Sequence, residues 1–105
     1  MLILIDLSAG GVTLRDPDEF TRFAVAVSGA GELERVVREA GLGRVRADGE
    51  HVVVDPAALR RLAGPAATAA WEEGLSGMTA YAARQGWVED DGGIVAHIER
   101  GVEAG

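Results

Sequence analysis

The sequence predicts an α+β fold in which a small antiparallel sheet of three or four strands carries helices on one face. Three observations lead there. Asp48-Gly49 stands between the β-prone stretches Val45-Arg46-Ala47 and His51-Val52-Val53-Val54, the pattern of a two-residue hairpin whose type I′ turn needs positive φ at both central positions. Asp55-Pro56 follows at once, a capping carboxylate and then a residue that loses no hydrogen bond at the first helical position. Leu2-Ile3-Leu4-Ile5 near the start is too short for a stable helix and suits a core strand covered on both faces. The 105 residues suffice for a single globular domain, 1–105, with one hydrophobic core.

In chain order, the first strand spans 2–7 and is expected beside the 44–54 hairpin. Ser8-Ala9-Gly10-Gly11 reads as a turn into a short strand at 12–14. Asp16-Pro17-Asp18-Glu19 reads as a helix start, with Asp16 as the cap and Glu19 three residues on, as in a capping box. Phe20, Phe23, Ala24 and Val27 then fall at i, i+3, i+4 and i+7, the buried face of that helix, which Ser28-Gly29-Ala30-Gly31 ends. Leu33, Val36, Val37 and Ala40 repeat the pattern over 32–40. Gly41 fits the left-handed position beyond that helix, and Glu34 and Arg38 make its i, i+4 pair.

A short helix is expected over 56–63, with Leu59 and Leu62 inward and Arg60 and Arg61 solvated, and Gly64-Pro65 breaks it. A longer helix covers 66–85 and buries Trp71, Leu75, Met78 and Ala82. Gly74, Gly77 and Tyr81 form the neighbouring stripe; each helical glycine costs about 1 kcal/mol against alanine, which is understandable where another backbone packs closely. Ile94, Val95, Ile98 and Val102 have helical spacing, whereas Ile94, Ala96 and Ile98 alternate as in a strand. Asp91 or Gly92 before them and Gly101 after them favour a short helix over 94–102.

The formal net charge is −7. A negative field repels phosphate backbones, so nucleic acid is not an expected partner. Without cysteine, disulfides, thiolate metal sites and a cysteine nucleophile are excluded. The apolar N-terminal run has no basic region before it and is interrupted by Asp6, unlike a signal peptide. No segment approaches the roughly 20 apolar residues that span a bilayer. A cytoplasmic protein with no membrane partner is expected.

No catalytic, cofactor-binding or metal-ligating residue is assigned, and no cofactor is expected. His51 falls on the second hairpin strand, on the face opposite Val52 and Val54, and His97 lies near Glu99 and Arg100. Neither belongs to a pair such as His-x-x-x-His. Glu89, Asp90 and Asp91 are consecutive, so they cannot all point at one ion as calcium loops require, and they read as an exposed acidic turn. The glycine-rich turn after the first strand lacks the spacing of a phosphate loop. Arg35, Arg38, Arg44, Arg46, Arg60 and Arg61 read as solvated arginines paired with Glu32, Glu34, Glu39 and Glu50 rather than as a basic patch. The residues left as pocket or interface candidates are His51, Trp71, Tyr81, Trp87 and His97, histidines and amphipathic aromatics that serve interfaces as well as cores.

Leu59-Arg60-Arg61-Leu62-Ala63-Gly64, the spacing of Trp71, Gly74, Met78, Tyr81 and Ala82, and Gly86-Trp87-Val88 through Ala96-His97 resemble small uncharacterised proteins of high-GC, actinobacterial-type genomes. The resemblance is best in the C-terminal half. That group has no assigned activity, so the resemblance carries no functional residue onto this chain. The expectation is a small non-enzymatic interaction or regulatory protein, able to form a homodimer, whose partner is another protein or a second copy. The alternative is a small-ligand-binding protein or enzyme using His51, His97 and a carboxylate in a pocket near Trp71 or Trp87. A helix-turn-helix built from the helices after Pro56 and Ala66 is opposed by net acidity and the absence of lysine.

Overall fold

The computed structural model describes residues 1–100. Six strands and three helices follow in the order β1 (Leu2–Asp6), β2 (Gly11–Arg15), β3 (Ala24–Ser28), α1 (Leu33–Glu39), β4 (Gly43–Val45), β5 (His51–Val54), α2 (Pro56–Ala63), α3 (Ala69–Arg84) and β6 (Ile94–Arg100), with a 3₁₀ turn at Gly64–Ala66 before α3. All six strands join one sheet in the order β2-β1-β3-β6-β5-β4. The β1–β2, β4–β5 and β5–β6 pairs are antiparallel, while β1–β3 and β3–β6 are parallel. The sheet curls into a half-barrel, and α2, which follows β5 near one edge, touches β2 at the other. No described helix is long and apolar enough to cross a membrane.

This mixed six-stranded sheet corrects the expected small antiparallel sheet of three or four strands. The difference lies in two segments read as helices. Phe20, Phe23, Ala24 and Val27 do have helical spacing, but Ala24–Ser28 is a strand with both edges paired, to β1 and to β6. Val25 and Val27 point to the helices, and Ala24, on the other face, is buried as well. Asp16 has φ +51° and does not cap a helix. Residues 16–23 form an irregular loop instead, held by the Trp71 indole N–H, which donates to the Pro17 carbonyl at 2.9 Å, and by the Met1 ammonium, which donates to the Glu19 and Arg22 carbonyls.

The second correction is Ile94–Arg100, a strand where the spacing favoured a helix. Ile94, Ala96 and Ile98 face the helices while His97 and Glu99 lie on the other face, the alternation of a strand; the helical spacing arose from Val95, an apolar residue buried on that second face. Val102 and Gly101 of the expected element lie outside the described residues. Because β3 and β6 are strands, β1 does not lie beside the hairpin; β3 and β6 stand between them.

The hairpin itself forms. Val45 opposes Val52, Arg44 opposes Val53 and Gly43 opposes Val54, the pairs that a centre at Asp48-Gly49 implies. The turn is not type I′, since among these loop residues only Gly49 has positive φ, at +70°. The Gly49 N–H donates to the Arg46 carbonyl, and the Asp48 carboxylate accepts the Glu50 N–H, so Asp48 works as a side-chain turn former. Gly43 is obligatory for another reason. At φ +149° a Cβ would stand 1.8 Å from the Val53 carbonyl oxygen of its paired strand.

One core joins the helices to one face of the sheet: Ile3, Ile5, Val25, Val27, Val52, Val54, Ile94, Ala96 and Ile98 meet Val37 of α1, Leu59 of α2 and Trp71, Leu75 and Met78 of α3. α2 has the expected bounds, with the Asp55 carboxylate accepting the Ala57 N–H at 2.9 Å. Arg61 is not merely solvated. Its guanidinium donates to the Ala40 and Gly41 carbonyls at the end of α1, tying α2 to that helix. The i, i+4 ion pair on α1 is Arg35–Glu39 rather than Glu34–Arg38. Thr68 caps α3, its hydroxyl accepting the Trp71 N–H, so residues 66–68 lie before the helix.

The helical glycines differ in kind. A Cβ on Gly74 would fall 2.2 Å from the Phe20 ring, whereas one on Gly77 would meet nothing within 4 Å. An aromatic side chain of the 16–23 loop, not a backbone, occupies the space Gly74 leaves. Urea denaturation of two variants checks this. Gly77→Ala should raise stability by about 0.5–1 kcal/mol through helix propensity, while Gly74→Ala should lower it by about 1 kcal/mol or more because Phe20 must leave its place. Equal stabilisation by both would show that Phe20 does not pack there.

Candidate functional site

The five candidate residues fall into three places. Trp71 is buried at 2% exposure among the helices, 6.3 Å from the Phe20 ring, with its N–H taken by Pro17. It pins the 16–23 loop to α3 and is closed to solvent. Tyr81 and Trp87 are the exposed large hydrophobics, at 51% and 47%. His51 and His97 meet on the sheet face that points away from the helices.

Tyr81 lies near the end of α3, and Trp87 follows Gly86, at which the chain reverses. The Trp87 N–H donates to the Ala82 carbonyl, and the Trp87 carbonyl accepts the Val95 N–H at 2.8 Å. The residues around Trp87 thus extend the sheet beside the first half of β6, where β3 has not yet begun. This fixes the indole against the phenol, with ring centres 6.3 Å apart and planes at 69°, a favoured edge-to-face geometry. The Arg84 guanidinium sits 5.8 Å from the centre of the Tyr81 ring. Between the two rings and the 16–23 loop lies a cleft of about 80 Å³, lined also by Phe20, Phe23, Met78 and Val95. Cofactor and metabolite pockets run to about 300–1,000 Å³; this cleft has room for one apolar side chain.

Sequence reasoning placed Phe20 and Phe23 inside a helix and so missed them as cleft residues. Their separation from the expected helix is visible only once residues 24–28 are known to be a strand.

A larger hollow of about 360 Å³ opens beside Gly43, Arg44, Asp55, Asp91 and Gly93. Its charged groups already have partners. The Arg44 guanidinium donates to Asp91 at 2.8 Å and to Glu89 at 3.4 Å, and Asp55 caps α2. The Gly93 N–H, then the Arg44 guanidinium, hold the Asp91 carboxyl below the usual carboxylate range. The acidic turn 89–93 is therefore a clasp for one arginine. Ser8 to Gly11 likewise form a hairpin turn rather than an anion cradle, because the Asp6 carboxylate accepts the Ser8 and Ala9 N–H groups.

His51 and His97 are direct register partners across β5 and β6. Their ring centres are 5.4 Å apart, with planes at 66°. The Asp48 carboxylate lies 2.9 Å from Nδ1 of His51. The Glu50 N–H first, and His51 second, hold the Asp48 carboxyl below its usual range. The sequence marks Asp48 as a turn residue, and the Asp-x-x-His spacing across a tight turn is the signal of its second role. The cleft beside Trp87 contains neither histidine, and Trp71 lies in the helix layer, so the histidines do not share a pocket with either tryptophan. Among the described residues no group of three or more His, Cys, Asp or Glu side chains is placed to hold a metal ion.

Comparison with protein-family models, with curated proteins and with solved structures finds no match for this chain.

The depressed Asp48 pKa has a checkable origin. An acid whose folded pKa is lowered adds stability above its unfolded value and loses it as pH falls through the folded value. NMR titration of the Asp48 carboxyl should give a midpoint below that of a free aspartate. His51→Ala should move it only part of the way back, since the Glu50 N–H remains. A full return to the free value on removing His51 would assign the effect to the imidazole alone.

Proposed function

We propose that this chain is a small non-enzymatic interaction protein that self-associates, with the Tyr81–Trp87 cleft as its contact surface and a second copy as its occupant. The observation that carries the reading is the exposure of these two rings over a cleft with room for a single side chain. Tryptophan, tyrosine and arginine dominate binding energy where a partner excludes water from them, and Trp87, Tyr81 and Arg84 stand together here. The rings are held by the backbone bonds of Trp87 and by their mutual contact, so little side-chain freedom remains to be lost on association.

The flanks of the cleft carry both signs. Arg22 lines it, Arg84 lies against Tyr81, and Glu89 and Asp90 follow Trp87 in the chain. Self-association also accounts for a contact that is apolar at its centre, because copies of net charge −7 repel at long range.

Sedimentation equilibrium over a wide concentration range tests the reading. The wild-type chain should associate reversibly to a dimer, more strongly as salt screens the repulsion. Trp87→Ala should weaken association about tenfold or more while leaving the far-ultraviolet circular dichroism unchanged. A strict monomer at all concentrations, or a dimer that ignores Trp87→Ala, would overturn it.

A further inference from the structure

We propose that His51 and His97 form a two-imidazole chelate for a borderline divalent transition-metal ion on the open face of the sheet. The Ile98 N–H donates to the Glu50 carbonyl at 2.9 Å, so the ladder bonds flank the His51–His97 pair instead of joining it. In such a non-hydrogen-bonded antiparallel pair the Cα atoms lie about 4.5 Å apart and the side chains are at their closest. The ring centres are 5.4 Å apart with planes at 66°, so the two imidazoles are immediate neighbours.

Asp48 decides which nitrogen of His51 is available. An ionised carboxylate only accepts, so the 2.9 Å contact puts a proton on Nδ1, and in the neutral ring Nε2 then carries the lone pair. A carboxylate behind the remote nitrogen is the usual support of a metal-bound imidazole, fixing both tautomer and ring orientation. On the other side, His97 is opposed across β3 by Ala24, whose methyl group leaves the rings room. His97 is exposed and His51 half-buried, so solvent ions reach both.

The charges around the pair are of both signs, with Arg46 opposite His51 across the hairpin. Asp48 and Glu50 lie in the adjoining turn, and Glu99 projects on the same face two residues beyond His97, with Arg22 at 3.8 Å. Two protein ligands leave the remaining positions to water. Imidazole donors suit zinc, nickel and copper, not magnesium or calcium, which prefer oxygen. The pair is independent of the Tyr81–Trp87 cleft, and its test does not depend on the oligomeric state.

The experiment is a titration of the untagged protein with zinc chloride and with nickel chloride, read by calorimetry and by ¹H–¹⁵N spectra. One ion should bind per chain, with shifts centred on residues 48–51 and 95–99. His51→Ala and His97→Ala should each lower affinity about tenfold or more, and the double variant should be little worse than either, because one imidazole is no chelate. Asp48→Asn should weaken binding while both imidazoles remain. Magnesium chloride at the same concentration should give no such shifts. No zinc or nickel binding below roughly 1 mM, binding that survives either single alanine variant, or shifts centred on the acidic turn 89–93 would overturn the proposal.

Discussion

The structure depends on one strand being bonded along both edges. β6 is parallel to β3 on one side and antiparallel to β5 on the other, and it alone joins the three-stranded unit β2-β1-β3 to the hairpin β4–β5. Without it neither part buries its apolar face against all three helices. Ile94, Ala96 and Ile98 fill the centre of the core, at 1%, 1% and 6% exposure. Burying such a run is favourable only if its backbone N–H and C=O groups are paired, and a sheet position between two strands supplies those partners in full.

Both surfaces discussed above are consequences of that insertion. The half of β6 that β3 does not cover accepts the chain around Trp87, which places the indole beside Tyr81. The half that β3 does cover sets His97 opposite His51. Register sets Trp87 beside Val95 and, two residues further along β6, His51 beside His97. The helices cover one face, and the other is left to small apolar residues, histidines and charges.

Much of this was legible in the sequence. The hairpin register, the cap and bounds of α2, the stripe Trp71, Leu75, Met78 and Ala82, and the left-handed Gly41 all follow from local chemistry, and local chemistry is where sequence reasoning is strong. β3 and β6 were not legible. Ala24-Val25-Ala26-Val27 satisfies a helical and an extended pattern equally, and the choice between them is made by partners far along the chain. The acidic start at Asp16 pointed the wrong way because its carboxyl and proline neighbours suit a turn as well as a cap. Trp87 and Tyr81 could be named as amphipathic aromatics, but not as a pair, since their contact requires the reversal at Gly86 and the bond to Val95. The same holds for the histidines. Each was visible, and only β6 makes them neighbours.

The most direct measurement of the central claim is the pattern of backbone proton contacts along residues 94–100 in a nuclear Overhauser spectrum. The account predicts a strong contact between the α-protons of His51 and His97, as non-hydrogen-bonded antiparallel partners give, together with slow exchange of the Ile98 amide. Sequential amide–amide contacts of helical type through 94–100, with no contact from His97 to His51, would contradict it.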